Sequence, residues 1–254
     1  MKTSSMLWKI ATAVFFVFHA ATAFAQISAG VDLAMKSKYL WRGIPFNEEA
    51  VFWPDAWASW NGFTAVIFGS MEMTNVYQNQ GKFTEVDYYL DYSRTFGPVS
   101  AKLGYSHFDY PNTDFEPTGE IYGEAAMDLP FFSVALNLYY DVEEVQGFYI
   151  SPKISKSMTV PFIQPTLQIS LGYADKKFNG YWFGLEEAGF TDLTAGLDLS
   201  YAPPGALGNY LSFSGDLNYA MILDDKLADI YLDHDTNFWW GLGVHLAYTF
   251  GGEQ

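Results

Sequence analysis

Acidic side chains recur on one face of several extended segments of the chain. Glu85, Asp87 and Asp91 are separated by even numbers of residues, and Glu120 and Glu124 repeat the spacing. In an extended strand such residues point to the same side, so each segment carries a row of carboxylates. A row of carboxylates attracts cations and orients charged solutes that pass along it. The spacing therefore predicts an acidic wall inside a barrel.

Basic side chains are fewer and lie mainly near the first predicted strand. Lys36, Lys38 and Arg42 would face the acidic wall across a ring of strands and set up a transverse field, whereas Lys102 lies between acidic strands and is expected to pair. The alternative is that the charges pair with their neighbours and plug the interior. The residues predicted to line the interior are Lys36, Lys38, Glu85, Asp87, Asp91, Lys102, Glu120, Glu124, Asp128, Asp141, Lys153, Asp198, Asp216 and His245.

Catalytic chemistry has weak support in the sequence. Outside the predicted leader the histidines are His107, His234 and His245, and none lies in a hydrolase motif. His245 comes near Ser28 or Ser214 if the strand register allows it, so an embedded lipid hydrolase is an alternative. The chain has no cysteine and no phosphate-binding glycine pattern. We expect no catalytic residue, no metal site and no cofactor.

Alternation of apolar and polar residues places these side chains on β-strands. From Ile27 to Trp41 the odd positions are apolar except for Ser37, and no helical period explains this row. The segment from Val51 to Trp60 fits less well, because its faces are mixed and it contains Pro54. The predicted strands are 27–41, 50–60, 63–73, 84–95, 99–109, 119–129, 132–141, 147–158, 162–173, 190–201, 210–221 and 238–250.

The connectors between these strands alternate between short and long. Tight turns such as Asn61-Gly62 alternate with stretches such as 74–83 and 174–188. This pattern predicts an all-β fold, an antiparallel up-and-down transmembrane β-barrel of about twelve strands. A soluble barrel or sandwich is the alternative, but an apolar interior would leave a void in a barrel this wide. Small residues in the polar rows are expected to leave room for water.

Composition places the chain outside the cytoplasm and away from nucleic acid. Residues 1–25 carry Lys2, Lys9, an apolar run and a small-residue end, which predicts a cleaved signal peptide and a barrel domain over 26–254. Cleavage would change the formal charge from −16 to about −18, which excludes nucleic acid as a partner. Aromatic residues make up 19% of the chain. We expect interface girdles to include Tyr39, Trp41, Trp53, Trp57, Trp60, Trp239 and Trp240.

Four segments resemble one known family. They read YLWRGI from Tyr39 to Ile44, EVDYYLDY from Glu85 to Tyr92, GPVSAKLGYSHFDYP from Gly97 to Pro111, and GEIYGEAAMD from Gly119 to Asp128. Together they are similar to the TorF-type porins of diderm bacteria. The resemblance implies an outer-membrane barrel of undefined substrate, and it implies no catalytic residues.

The sequence thus favours a porin of the bacterial outer membrane that passes small hydrophilic solutes or cations through a net acidic lumen. The expected partners are outer-membrane lipid and lipopolysaccharide, the barrel assembly machinery and the solutes themselves, and the oligomeric state is left open. The alternative from a different class is a non-conducting structural or adhesion barrel.

Overall fold

A computed structural model describes residues 26–229 and 236–250 of the chain. Twelve antiparallel strands in these ranges form a closed barrel, in which each strand pairs with the next and the last pairs with the first. The predicted fold class is confirmed. The barrel strands are β1 Ile27–Lys36, β4 Val51–Trp60, β5 Phe63–Glu72, β6 Phe83–Phe96, β7 Val99–Asp109, β8 Thr118–Asp128, β9 Ser133–Asp141, β10 Phe148–Ser157, β11 Gln164–Ala174, β12 Gly189–Tyr201, β13 Leu211–Ile222 and β14 Thr236–Phe250.

The outer surface of the barrel is apolar, as the alternation predicts. Leu90, Leu103, Ile121 and Leu138 lie on neighbouring strands and are each about half exposed or more. Their sequence neighbours Asp91, Glu120 and Asn137 point the other way, where Asp91 and Glu120 are buried and Asn137 is partly buried. The apolar residues therefore face out of the barrel and the polar residues face the lumen.

The weakest predicted strand is present. β4 covers Val51–Trp60 and pairs with β1 along its length. Pro54 has no amide hydrogen to donate, and the pairing of β4 with β5 is interrupted beside it, between Phe52 and Asp55.

The first predicted strand, 27–41, is wrong in its second half. β1 ends at Lys36, and the chain bends at Ser37 and Lys38. Two short strands, β2 (Tyr39–Trp41) and β3 (Ile44–Asn47), then form a separate hairpin. We call residues 39–47 the inward hairpin because its side chains contact the lumen wall. The two residues at its tip, Arg42 and Gly43, have positive φ angles of 52° and 80°, which a two-residue hairpin turn requires.

The hydrophobic core lies at one end of the barrel, which we call the loop end. Helix α1 (Lys176–Phe183) follows β11, and the short helix α2 (Asp225–Ala228) follows β13. The side chain of Asp175 caps α1 by accepting hydrogen bonds from the backbone amides of Lys177 and Phe178. The core contains buried residues from both helices, from the inward hairpin and from the strand ends: Ile44, Tyr149, Ala174, Phe178, Phe183, Ile222 and Leu227.

None of the helices in residues 26–229 and 236–250 is long and apolar enough to cross a membrane. The predicted signal peptide lies outside the described residues and stays a prediction.

Candidate functional site

The predicted interior residues of the barrel wall share one face. Glu85, Asp87 and Asp91 on β6 pair in register with residues of β5 and β7, and residues that pair in register lie on the same face of the sheet. The same relation assigns the inner residues of every other strand around the barrel. The structure places on this inner face Lys36, Glu85, Asp87, Asp91, Lys102, Glu120, Glu124, Asp128, Asp141, Lys153, Asp198, Asp216 and His245. Lys38 lies in the bend after β1, with its Nζ 3.5 Å from Asn237 Oδ1.

Arg42 does not face the acidic wall from across the lumen. The inward hairpin carries it to that wall, where Nη1 and Nη2 donate to the two carboxylate oxygens of Glu120 at 2.6 and 2.7 Å. Both side chains are almost fully buried, at 8% and 4% exposure. Burial lowers the pKa of Arg42, but the facing Glu120 carboxylate more than offsets this and leaves that pKa above its usual value.

Aromatic rings surround the guanidinium group. The Cζ atom of Arg42 lies 4.1 Å from the ring centroids of Trp41 and Tyr139, and 4.9 Å from that of Tyr149. The Phe178 ring of helix α1 lies 5.6 Å away. Cation–π attraction and the two-pronged hydrogen bond with Glu120 thus hold the hairpin tip inside the barrel.

The inward hairpin and helix α1 together narrow the loop end. Trp41 and Phe46 of the hairpin each pack against Trp182 of α1, with ring centroids 5.3 Å apart in both cases. Tyr149 on the wall donates to Asp192 Oδ1 at 2.7 Å. A cavity of about 450 Å³ lies against the hairpin, lined by Arg42, Glu120, Tyr149 and neighbouring residues.

The sequence also predicts that Lys36 faces the acidic wall from across the lumen, but Lys36 contacts an acid close to its own strand. Its Nζ donates to Asp216 of β13, although β14 separates the two strands. Lys102 lies in register with Glu124, but among the described residues it forms no ion pair within 4.0 Å, so the expected pairing of Lys102 is wrong. Lys36 and Arg42, two of the basic residues expected to create the transverse field, are each neutralised by a direct contact with a carboxylate. The field is therefore partly cancelled.

Small residues on the inner face serve a purpose that the sequence analysis missed. Gly241 lies in register between Lys36 and Asp216, and a Cβ atom there would contact both side chains. Gly104 lies in the same way between Asp91 and Tyr122, whose hydroxyl donates to Asp91 Oδ2 at 2.9 Å. These glycines let side chains on next-nearest strands meet across the strand between them. At these two positions the small residue makes room for a side-chain contact and not only for water.

Three inner residues on β1, β14 and β13 form a hydrogen-bonded series. Asp32 Oδ1 lies 2.7 Å from His245 Nδ1, and Ser214 Oγ lies 2.8 Å from His245 Nε2. With Nδ1 protonated and donating to Asp32, Nε2 is free to accept the Ser214 proton. These are the contacts of a nucleophile, a base and an orienting carboxylate. Of the two serines considered in the sequence analysis, the register selects Ser214, which faces a cavity of about 420 Å³.

The expected aromatic girdle is wrong for most of its members. Tyr39 and Trp41 belong to the inward hairpin, and Tyr39 is buried. Trp53 and Trp57 lie on the inner parity of β4, and Trp239 lines the cavity beside Arg42. Only two of the seven face outward, and these are Trp60 and Trp240.

The model of a family described as a bacterial protein of unknown function (Gcw_chp) matches residues 19–222. The chain belongs to this family. The match covers the inward hairpin and every barrel strand from β1 to β13. No curated protein matches the chain.

Solved porin structures share the fold of this Gcw_chp protein. The KdgM porin in complex with disordered oligogalacturonate is 12% identical, with a TM-score of 0.54 over 87% of this chain and 99% of that chain. The NanC porin in its rhombohedral crystal form is 9% identical, with a TM-score of 0.56 over 85% of this chain and 98% of that chain. At these identities the likeness establishes a porin-like barrel fold.

The inward hairpin of this Gcw_chp barrel has a short sequence signal. Arg42-Gly43 lies between the apolar pairs Leu40-Trp41 and Ile44-Pro45, which is the pattern of a two-residue hairpin. Gly43 has a positive φ, and a Cβ atom there would lie 2.8 Å from Asp192 Cβ. The turn therefore needs glycine twice over, for its conformation and for its close approach to the wall.

Proposed function

We propose that the protein is a porin of the bacterial outer membrane that passes small hydrophilic solutes, with a preference for cations, through a narrow and net acidic lumen. The observation that supports this best is the charge of the inner face. Among the described residues, the wall carries basic side chains at Lys36, Lys102 and Lys153. Acidic side chains there are Asp32, Asp55, Glu72, Glu85, Asp87, Asp91, Glu120, Glu124, Asp128, Asp141, Asp192, Asp198 and Asp216.

The resemblance to TorF-type porins and the porin-like fold support the same proposal. The signal peptide over 1–25 would send the barrel of 26–254 to the outer membrane, where the assembly machinery inserts it. Outer-membrane lipid and lipopolysaccharide would then cover the apolar face. Porins of this kind place short turns in the periplasm and longer loops outside. The inward hairpin would accordingly narrow the outer mouth.

The proposal is tested with purified mature protein in planar bilayers. We expect discrete single-channel steps, and a reversal potential under a KCl gradient that shows K⁺ to be more permeant than Cl⁻. The steps should be small, because the hairpin narrows the loop end. A folded barrel that never conducts, or one that prefers Cl⁻, would overturn the proposal and favour a structural or adhesion role.

A second candidate function is ester hydrolysis, and the Asp32–His245–Ser214 series is what favours it. His245 Nε2 would take the proton of Ser214 Oγ as that oxygen bonds to the substrate carbonyl carbon. The same proton would pass to the departing alcohol, and water would release the acid from Ser214 by the reverse transfers. The series faces the lumen, so its substrate would be a water-soluble ester and not a phospholipid of the surrounding bilayer.

Labelling with a fluorophosphonate probe tests this second candidate. If the series is reactive, the wild-type barrel is labelled and Ser214→Ala is not. Ser212→Ala is the matched control, since Ser212 is the adjacent inner residue of β13 and pairs with His245 in register. An unlabelled wild-type barrel, or equal labelling of Ser214→Ala, would contradict the enzymatic role.

A further inference from the structure

A second cavity lies between the inward hairpin and the strands from β4 to β8. Its volume is about 420 Å³, and its lining includes Trp41 of the hairpin with Trp53, Asp55, Asp87 and Tyr89 of the wall. Asp55 and Asp87 belong to one row around the barrel, because both pair in register with Phe68 of β5. Asp91 also lines the cavity, so three carboxylates and several aromatic rings share this space.

Within the described part of the chain, Asp55 and Asp87 each have a carboxylate oxygen without a hydrogen-bond partner. Asp87 is 2% exposed, and its Oδ2 accepts a hydrogen bond from Tyr89 at 2.8 Å. The other oxygen, Oδ1, is buried and makes no hydrogen bond among the described residues, and the same holds for Asp55 Oδ1. A buried acceptor without a donor is costly, and a ligand that brings positive charge or hydrogen-bond donors would relieve that cost.

The aromatic rings of this region already contact two cationic side chains of the protein. The Nζ atom of Lys36 lies 5.3 Å from the ring centroid of Trp53, and the Arg42 guanidinium lies 4.1 Å from that of Trp41. Both rings also line the second cavity. Rings that attract lysine and arginine will attract the positive group of a ligand by the same interaction.

We propose that this cavity binds a small organic cation, in which an ammonium group faces Asp87 and Asp55 and the alkyl part contacts the rings. The proposal rests on the proposed cation-preferring channel and names the solute class that the channel selects. Small anions are disfavoured by the carboxylates of the cavity. Hydrated inorganic cations gain less from the rings than an alkylammonium ion, whose weakly hydrated surface matches them.

The test is calorimetric binding of choline to the purified folded barrel in detergent. Its comparison ligand is 3,3-dimethylbutan-1-ol, which has the shape of choline without the charge. Choline should bind saturably, and the neutral alcohol should bind at least about tenfold more weakly, since only the cation interacts with the carboxylates and the ring faces. Equal binding of the two, or no binding of choline, would overturn the proposal.

Two variants locate the site. Asp87→Asn should weaken choline binding about tenfold, and Trp53→Leu should weaken it about three- to tenfold through the loss of one ring face. The matched control is Asp128→Asn, because Asp128 is an inner acid at the opposite end of β8 and does not line the cavity. Equal weakening in Asp128→Asn would show general attraction to an acidic lumen and no defined site.

Failure of this inference is distinguishable from failure of the proposed function. Binding is measured in detergent without any current, whereas conduction is measured in bilayers without choline. A channel that prefers K⁺ but does not bind choline would refute the inference alone. A silent barrel that binds choline would refute the channel and leave the site in place.

Discussion

Replacing Arg42 by methionine is expected to raise the single-channel conductance several-fold. Methionine keeps much of the length of the side chain but removes both donors to Glu120 and the cation that four aromatic rings surround. Glu120 would be left as an uncompensated charge at 4% exposure, which costs about 3–5 kcal/mol. This cost opposes docking of the inward hairpin, so the hairpin should leave the lumen.

The measurement is single-channel current in planar bilayers, with heat-modifiable mobility on gels as the check on folding. Arg94→Met is the matched control, because Arg94 is exposed on β6 and outside the lumen. The double variant Arg42→Met with Glu120→Gln removes the buried charge and should restore part of the hairpin docking. An unchanged conductance in folded Arg42→Met would show that aromatic packing alone holds the hairpin.

Neutralising three wall acids is expected to lower the ratio of K⁺ to Cl⁻ permeability several-fold. The changes are Asp87→Asn, Asp91→Asn and Glu124→Gln, all on the inner face of the next-nearest strands β6 and β8. Fixed charges inside a low-dielectric wall act on a passing ion far more strongly than exposed charges do. The reversal potential under a KCl gradient measures the ratio.

The control changes the same number of charges outside the lumen. Asp114→Asn, Glu116→Gln and Glu144→Gln remove three exposed loop acids, and screening by salt should make their effect small. If both triple variants shift the reversal potential equally, the selectivity comes from the total charge and not from the wall.

The barrel could be predicted from the sequence because the face on which each wall residue lies depends only on its position along its own strand. Alternation along β6 and β8 gives the face of every acid, and the period of two carries that assignment through the strand. Pairing with consecutive neighbours then follows from the short turns, as at Asn61-Gly62. Even β4, which contains Pro54, is held in the sheet by its pairing with β1 and β5.

The inward hairpin could not be predicted in the same way. Tyr39 and Trp41 continue the odd apolar row of β1, so periodicity alone extends that strand to residue 41. What ends β1 is a non-local contact, since Arg42 meets Glu120 seventy-eight residues later in the chain. Rings from α1 complete the same cluster. A tryptophan at the end of a segment can consequently face either the lipid or the lumen. Its spacing in the sequence does not distinguish these two positions.

Three side-chain contacts on the inner face also bear on how the barrel closes. Lys36–Asp216, Asp32–His245 and Ser214–His245 all lie at or beside the junction of the first and last strands. A closure displaced by two residues along β1 would keep every side chain on its proper face and nearly every backbone hydrogen bond. It would, however, move Lys36 and Asp32 away from their partners and bring other side chains against Gly241. The contacts of Asp32 and Lys36 therefore favour the correct register between β1 and β14, and they penalise an assembly error that hydrophobic patterning does not detect.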